Sequence, residues 1–161
     1  ADGVVFGCLT ADGEVDLTSM QILMEASKGL SVTFHRAFDV CRNPQKALEE
    51  IIELGCNRIL TSGQQPTAEQ GIGLLKELQG LAAGRITLLA DCGVNENNIA
   101  RIAAETGINE FHFSARESIQ SEMIFKNEAV SMGGTVHINE YERNVTSIRR
   151  VKETIDAALH G

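Results

Sequence analysis

Five short apolar stretches, each followed at once by a stretch of helical pattern, constrain the fold of this chain most strongly. The apolar stretches begin near residues 4, 31, 58, 86 and 109, whereas the strands of a sandwich recur every ~8–12 residues. Each stretch ends in small or polar residues, at 6–8, 33–36, 60–63, 90–93 and 112–116. Repeated strand-to-helix order with chemistry at one end of every strand is typical of a (β/α) barrel or a doubly wound parallel sheet. We therefore expect any functional site on the carboxyl rim of the sheet.

The predicted elements follow one another without a linker, so residues 1–161 are expected to form a single α/β domain. Strands are predicted at 4–9, 31–36, 57–62, 85–90 and 109–114, and helices near 17–28, 44–54, 67–79, 96–106 and 143–159. Asp16, Asn43 and Asn95 are the residue types that begin helices, and Gly29 and Gly55 are the type that ends them.

The length of the chain does not suit a complete barrel. Its 161 residues, 43% of them hydrophobic, can bury one core, but a full TIM-like (β/α) barrel takes ~250 residues. The sequence also enters a strand almost at once, without an initiator Met. We therefore predict the later part of a (β/α) barrel that lacks its first units, with open strand edges at 4–9 and 109–114. Open edges pair readily with other strands, so a homo-oligomer is expected.

Charge and cysteine content limit the classes of binding partner and the cellular compartment that we expect. The chain has 14 Lys plus Arg against 22 Asp plus Glu, a net charge of −8, which argues against nucleic acid or an anionic membrane as a main partner. No apolar run approaches the length of a membrane span. Four cysteines without C-x-x-C spacing predict free thiols in a reducing cytoplasm.

Side-chain alternation divides the polar strand ends between the two faces of the sheet. Residues 55–63 can be laid on residues 107–115, with Gly, Asn and Ser coinciding. Because side chains alternate along a strand, the large rings at 111 and 113 should face the helices. The opposite set should face the barrel interior. Its members are Thr33, His35, Ser62, His112 and Ser114.

Three runs of residues carry a family resemblance. The heptad T-F-H-R-A-F-D at 33–39, L-T-S-G at 60–63 and E-F-H-F-S-A-R at 110–116 closely resemble the CutC copper-homeostasis family, and the similarity extends over essentially the whole chain. The resemblance implies a TIM-like barrel, a cytoplasmic location, a role in handling Cu(I), and about three further βα units ahead of residue 1. The family's run of glycines after the penultimate strand is reduced here to Gly93, which follows Cys92.

The strand ends supply candidates for acid–base chemistry and for anion binding. His35 and His112 could transfer protons, Arg36 could clamp an anion, and Asp39 could be a base, a metal ligand or a structural partner of Arg36. Hydroxyls, a guanidinium and glycine amides could hold a phosphate or carboxylate. The residues of that second group are Thr33, Ser62, Gly63, Gly93, Ser114 and Arg116.

The thiols are the candidates for copper. Cys8, Cys41 and Cys92 fall at or beyond the carboxyl ends of strands, whereas Cys56 begins a strand at the opposite end, and thiolates are ligands that Cu(I) prefers. Two hypotheses follow. The first is a copper-handling protein that uses these thiols. The second is an enzyme acting on a small phosphorylated or carboxylated metabolite through His35, Arg36, His112 and Ser114.

Overall fold

Five parallel strands in sequential order form the sheet of this protein. The computed structural model describes residues 1–127, 129–130, 132–133, 135 and 138–160. The strands are β1 (Gly3–Phe6), β2 (Ser31–Phe34), β3 (Arg58–Thr61), β4 (Thr87–Ala90) and β5 (Glu110–Phe111), and each pairs in parallel with the next. The predicted α/β class and the incomplete TIM-like barrel of five βα units are confirmed.

The first four helices connect successive strands of the sheet, as the repeat predicted, and the last helix follows the final strand of the chain. They are α1 (Leu17–Ala26), α2 (Pro44–Glu53), α3 (Ile72–Ala82), α4 (Ile99–Thr106) and α5 (Ile148–His160). Asp16 and Asn43 cap α1 and α2 through side-chain oxygens that accept backbone N–H groups three residues on. The predicted cap of α4 was wrong. Asn98 takes that position, and its Oδ1 accepts the Asn95 N–H at 2.9 Å.

The last predicted helix was wrong over its first residues. Residues 142–146 form a strand, β7 (Glu142–Thr146), which pairs antiparallel with β6 (Arg116–Gln120). The segment reads Glu-Arg-Asn-Val-Thr, and its last three residues are weak helix formers. Its antiparallel partner is distant in sequence, so the pattern of the segment alone did not predict the pairing. The chain therefore leaves β5 for a hairpin-like ribbon before it enters α5.

The two faces of the sheet differ as alternation predicted. Val32, Phe34, Ile59 and Leu88 are buried against the helices. Their strand neighbours on the other face are only partly buried along β2, β3 and β4. Five strands do not close a ring, so this second face is open and the carboxyl rim is reached directly from it. In the described part of the chain, no helix is both long and apolar enough to cross a membrane.

Candidate functional site

The carboxylate of Asp39 organises the rim beyond β2 and β3. Asp39 lies in a short 3₁₀ helix, Arg36–Val40, that directly follows β2. Its oxygens accept bonds from Arg36 Nε at 2.7 Å, Thr61 Oγ1 at 2.6 Å, the Ser62 N–H at 3.0 Å and the Gln64 N–H at 3.1 Å. The Asp39 side chain is 6% exposed. These contacts match the structural-partner alternative for Asp39, which anchors the turn after β3.

Arg36 keeps part of its guanidinium open. Besides the bond to Asp39, its Nη2 donates to Ser62 Oγ at 3.0 Å, while the described residues supply no hydrogen-bond acceptor for its Nη1. The side chain is 41% exposed. The bond to Asp39 raises the pKa of Arg36 above its ordinary value. A permanent positive charge with free N–H donors thus lies at the rim.

A second pair joins neighbouring strands at the rim. His112 Nδ1 lies 2.9 Å from Asp91 Oδ1, and this oxygen also accepts the Cys92 N–H at 2.6 Å. His112 is 60% exposed and Asp91 14%. When the Nδ1–H of a neutral His112 donates a hydrogen bond to Asp91, the lone pair on Nε2 is free to accept a proton.

His35 is oriented differently. Its Nδ1 accepts the Ala37 N–H at 3.1 Å and so caps the 3₁₀ helix. A neutral His35 therefore carries its proton on Nε2. Its Nε2 can donate a hydrogen bond, whereas a further proton can be accepted only at Nδ1, with loss of the cap.

Among the described residues, the remaining anion-binding candidates make no hydrogen bond to Asp39 or Asp91. Thr33 is half-buried on the open face of β2, and Ser114 is exposed. The Gly63 N–H already donates to Thr61 Oγ1 at 2.9 Å. The Gly93 carbonyl accepts side-chain amides of the following turn. Arg116 begins β6, and its carbonyl accepts a bond from Arg150.

The three rim thiols do not share one cluster. Cys8 follows β1 and Cys92 follows β4, and β2 and β3 lie between these strands, so about 14 Å of sheet separates them. Both side chains are half-buried. Cys41 is buried, and burial raises the pKa of its thiol to about 11. Within the part of the chain that the structure describes, no group of three or more His, Cys, Asp and Glu side chains could hold a metal ion.

Two contacts across the open face were not predicted from the sequence. Arg58 on β3 bonds Glu110 on β5 with its Nε at 2.6 Å, and its Nη1 donates to Ser31 on β2 at 3.1 Å. The contact between Asp91 and His112 was also not predicted. Alternation could have placed Ser31, Arg58 and Glu110 on the open face, because they share parity with Thr33, Ser62 and His112 on their strands.

Parallel βα units with polar side chains at the carboxyl rim define a protein of the TIM-like barrel class. The sequence matches the family model of the CutC family over residues 1–117. The chain belongs to the CutC family, which confirms the resemblance seen in the sequence.

Relatives extend the match beyond the family model. A CutC family protein from Bacteroides thetaiotaomicron is 78% identical over 157 residues, covering 98% of this chain and 63% of that protein. One from Porphyromonas gingivalis is 47% identical over 155 residues, covering 96% and 62%. The chain thus spans less than two thirds of these relatives. The Bacteroides protein works out at about 250 residues, the size of a complete barrel.

A solved structure matches the fold directly. A crystal structure from Streptococcus agalactiae, whose name links CutC with copper homeostasis, superposes with a TM-score of 0.67 at 32% sequence identity. The match covers 70% of this chain and 55% of that one.

Proposed function

We propose that this protein acts in copper homeostasis and binds Cu(I) in a reducing cytoplasm. The observation that carries the proposal is membership of the CutC family over residues 1–117, together with the copper-homeostasis name of the Streptococcus agalactiae relative. Free thiols support it, because Cu(I) is a soft ion that prefers sulfur ligands. The described structure contains four free cysteines.

At the rim, Cys8 and Cys92 are the accessible thiols and Cys41 lies buried beyond β2. Binding by this set requires the loops that carry the thiols to close on the ion, since the strands hold them apart. Cys92 has the left-handed φ of 71°, which a residue with a side chain adopts at a cost.

Replacing the rim thiols tests this assignment. In an anaerobic titration against a chromophoric Cu(I) chelator, we expect the Cys8→Ser/Cys41→Ser/Cys92→Ser variant to bind one equivalent of Cu(I) fewer than the wild type, because serine oxygen is a poor ligand for this ion. Circular dichroism checks that the variant is folded. Unchanged stoichiometry would contradict a copper site built from these thiols.

A second candidate function is supported by the open guanidinium of Arg36. An enzyme acting on a small phosphorylated or carboxylated metabolite would hold the anion at Arg36 Nη1, with His35 donating from Nε2 and His112 accepting a proton at Nε2. The hydrogen bond that His112 Nδ1 donates to Asp91 would hold His112 in position for that role.

Thermal shifts test the anion site. We expect inorganic phosphate or small carboxylates at millimolar concentration to raise the melting temperature of the wild type by a few degrees through binding to the folded state. Arg36→Lys, which loses the bidentate geometry, should abolish most of this rise, while Arg42→Lys should not, since Arg42 only faces Asp12 at 3.9 Å. Equal rises in both variants would argue against Arg36 as the clamp.

Self-association is the third element of the proposal. β1 and β5 are the edge strands of the described sheet, and exposed edges favour pairing. We expect light scattering behind size exclusion to give a mass of two or more copies of this 161-residue, 17.4 kDa chain. A monodisperse monomer with native circular dichroism would contradict the expectation.

A further inference from the structure

Two sulfur atoms meet at the end of the sheet opposite the rim. Cys56 Sγ lies 3.8 Å from Met24 Sδ, with the thiol placed to donate its hydrogen to the thioether. Met24 is in the last turn of α1, and Cys56 lies two residues before β3. Cys56 is 5% exposed and Met24 is partly buried. The rim residues considered above take no part in this contact.

We propose that Cys56 and Met24 form a second Cu(I) site, independent of the rim. The inference rests on the proposed copper function and assigns it a preformed pair of ligands. Thiolate and thioether sulfur are the soft ligands that select Cu(I).

Charge balance suits the buried position. Burying an isolated ion is expensive, but a Cu(I) ion bound to one thiolate and one neutral thioether has no net charge. Apolar surroundings therefore tolerate the loaded site. Water gains little from the pair, because neither sulfur is a strong acceptor of hydrogen bonds. Hard cations gain little as well, because they prefer oxygen ligands.

The distance between the sulfurs is compatible with an ion between them. If each metal–sulfur bond is about 2.3 Å long, as in zinc sites, the present distance of 3.8 Å between the sulfurs gives a bent S–Cu–S angle. A linear S–Cu–S arrangement needs ~4.6 Å between the sulfurs. Met24 can supply the difference of less than ~1 Å by rotating its flexible side chain. Gly55, beside Cys56, leaves room for this movement, since a Cβ there would lie 3.9 Å from Met24 Cε.

Loading replaces a proton by the metal. The Cys56 S–H bond breaks, an S–Cu bond forms, the thioether donates a lone pair to the same ion, and the proton passes to solvent. Copper enters and stays as Cu(I), so no electron is transferred. Burial raises the pKa of the Cys56 thiol to about 11, so the ion displaces a proton that the empty site retains.

Chelator competition separates the two sites. We expect the wild type to bind two equivalents of Cu(I), the rim triple-serine variant to keep one, and Cys56→Ala to keep one. Met24→Leu, close to isosteric, should weaken the equivalent retained by the triple variant at least tenfold. Met20→Leu is the matched control, a buried methionine one turn earlier on α1, and should leave both equivalents unchanged.

Silver(I) provides a readout at the ligand itself. With ¹³C-methyl methionine labelling and one equivalent of Ag(I) added to the rim triple-serine variant, the Met24 methyl signal should shift while those of Met20, Met123 and Met132 stay in place. Metal bound with no Met24 shift, or equal affinity in Met24→Leu and Met20→Leu, would overturn the second site and leave the copper function standing. Absence of any Cu(I) binding in the wild type would overturn both.

Discussion

Replacing Asp39 with alanine should lower the free energy of unfolding by about 3 kcal/mol, the range in which loss of a buried charged hydrogen-bonding partner falls. The reason is that several hydrogen-bond donors would lose their acceptor. Thr61 Oγ1 and the Ser62 and Gln64 N–H groups all point at the Asp39 carboxylate, and Arg36 would lose its ion pair. Urea denaturation followed by circular dichroism measures the change.

Asp12→Ala is the matched control for this experiment. Asp12 is exposed and faces Arg42 at 3.9 Å, so its loss should change stability by no more than about 0.5 kcal/mol, as for ordinary surface positions. Equal effects of the two replacements would show that the Asp39 network does not hold the rim together.

Replacing Gly71 with alanine should destabilise the protein by about 3 kcal/mol, near the upper end of the usual cost of overpacking. A Cβ on Gly71 would lie 1.9 Å from the Ser62 carbonyl oxygen and 3.0 Å from Gly63 Cα. Both contacts are with backbone, so no side chain can move aside. The turn after β3 must shift, and with it Ser62, which Arg36 and Asp39 hold. Thermal and urea unfolding measure the loss.

Gly73, in the first turn of α3 just after Gly71, offers the control. Gly73 has nothing within 4 Å of an added Cβ, so Gly73→Ala should leave stability unchanged or raise it by up to about 1 kcal/mol through helix propensity. A loss from Gly73→Ala as large as that from Gly71→Ala would mean that the close approach to Ser62 is not the cause.

Much of the fold could be predicted because its signals are local. Asp16 and Asn43 cap helices through residues three positions away, and the alternation that buries Val32 and Phe34 is visible within one strand. The predicted helix from 143 was wrong in its first turn because the pairing of β7 with β6 joins residues such as Arg116 and Thr146, which no local pattern connects.

The site was less accessible to sequence reasoning because its contacts are long-range. Alternation selected the rim residues. It did not reveal that the Asp39 carboxylate accepts hydrogen bonds from the turn after β3, 22 to 25 residues away. It also missed the contact between Asp91 and His112, which depends on the parallel register of β4 and β5. The Cys56–Met24 contact joins the connection before β3 to α1, and no sequence motif links these two segments.

Copper K-edge X-ray absorption on anaerobically loaded, chelator-washed protein tests whether the chain binds Cu(I) through sulfur, as proposed. We expect copper to be retained as Cu(I) with two or three sulfur neighbours at about 2.2–2.3 Å, close to the metal–sulfur distance of zinc sites. Retention of no copper, or a first shell of oxygen and nitrogen alone, would contradict it.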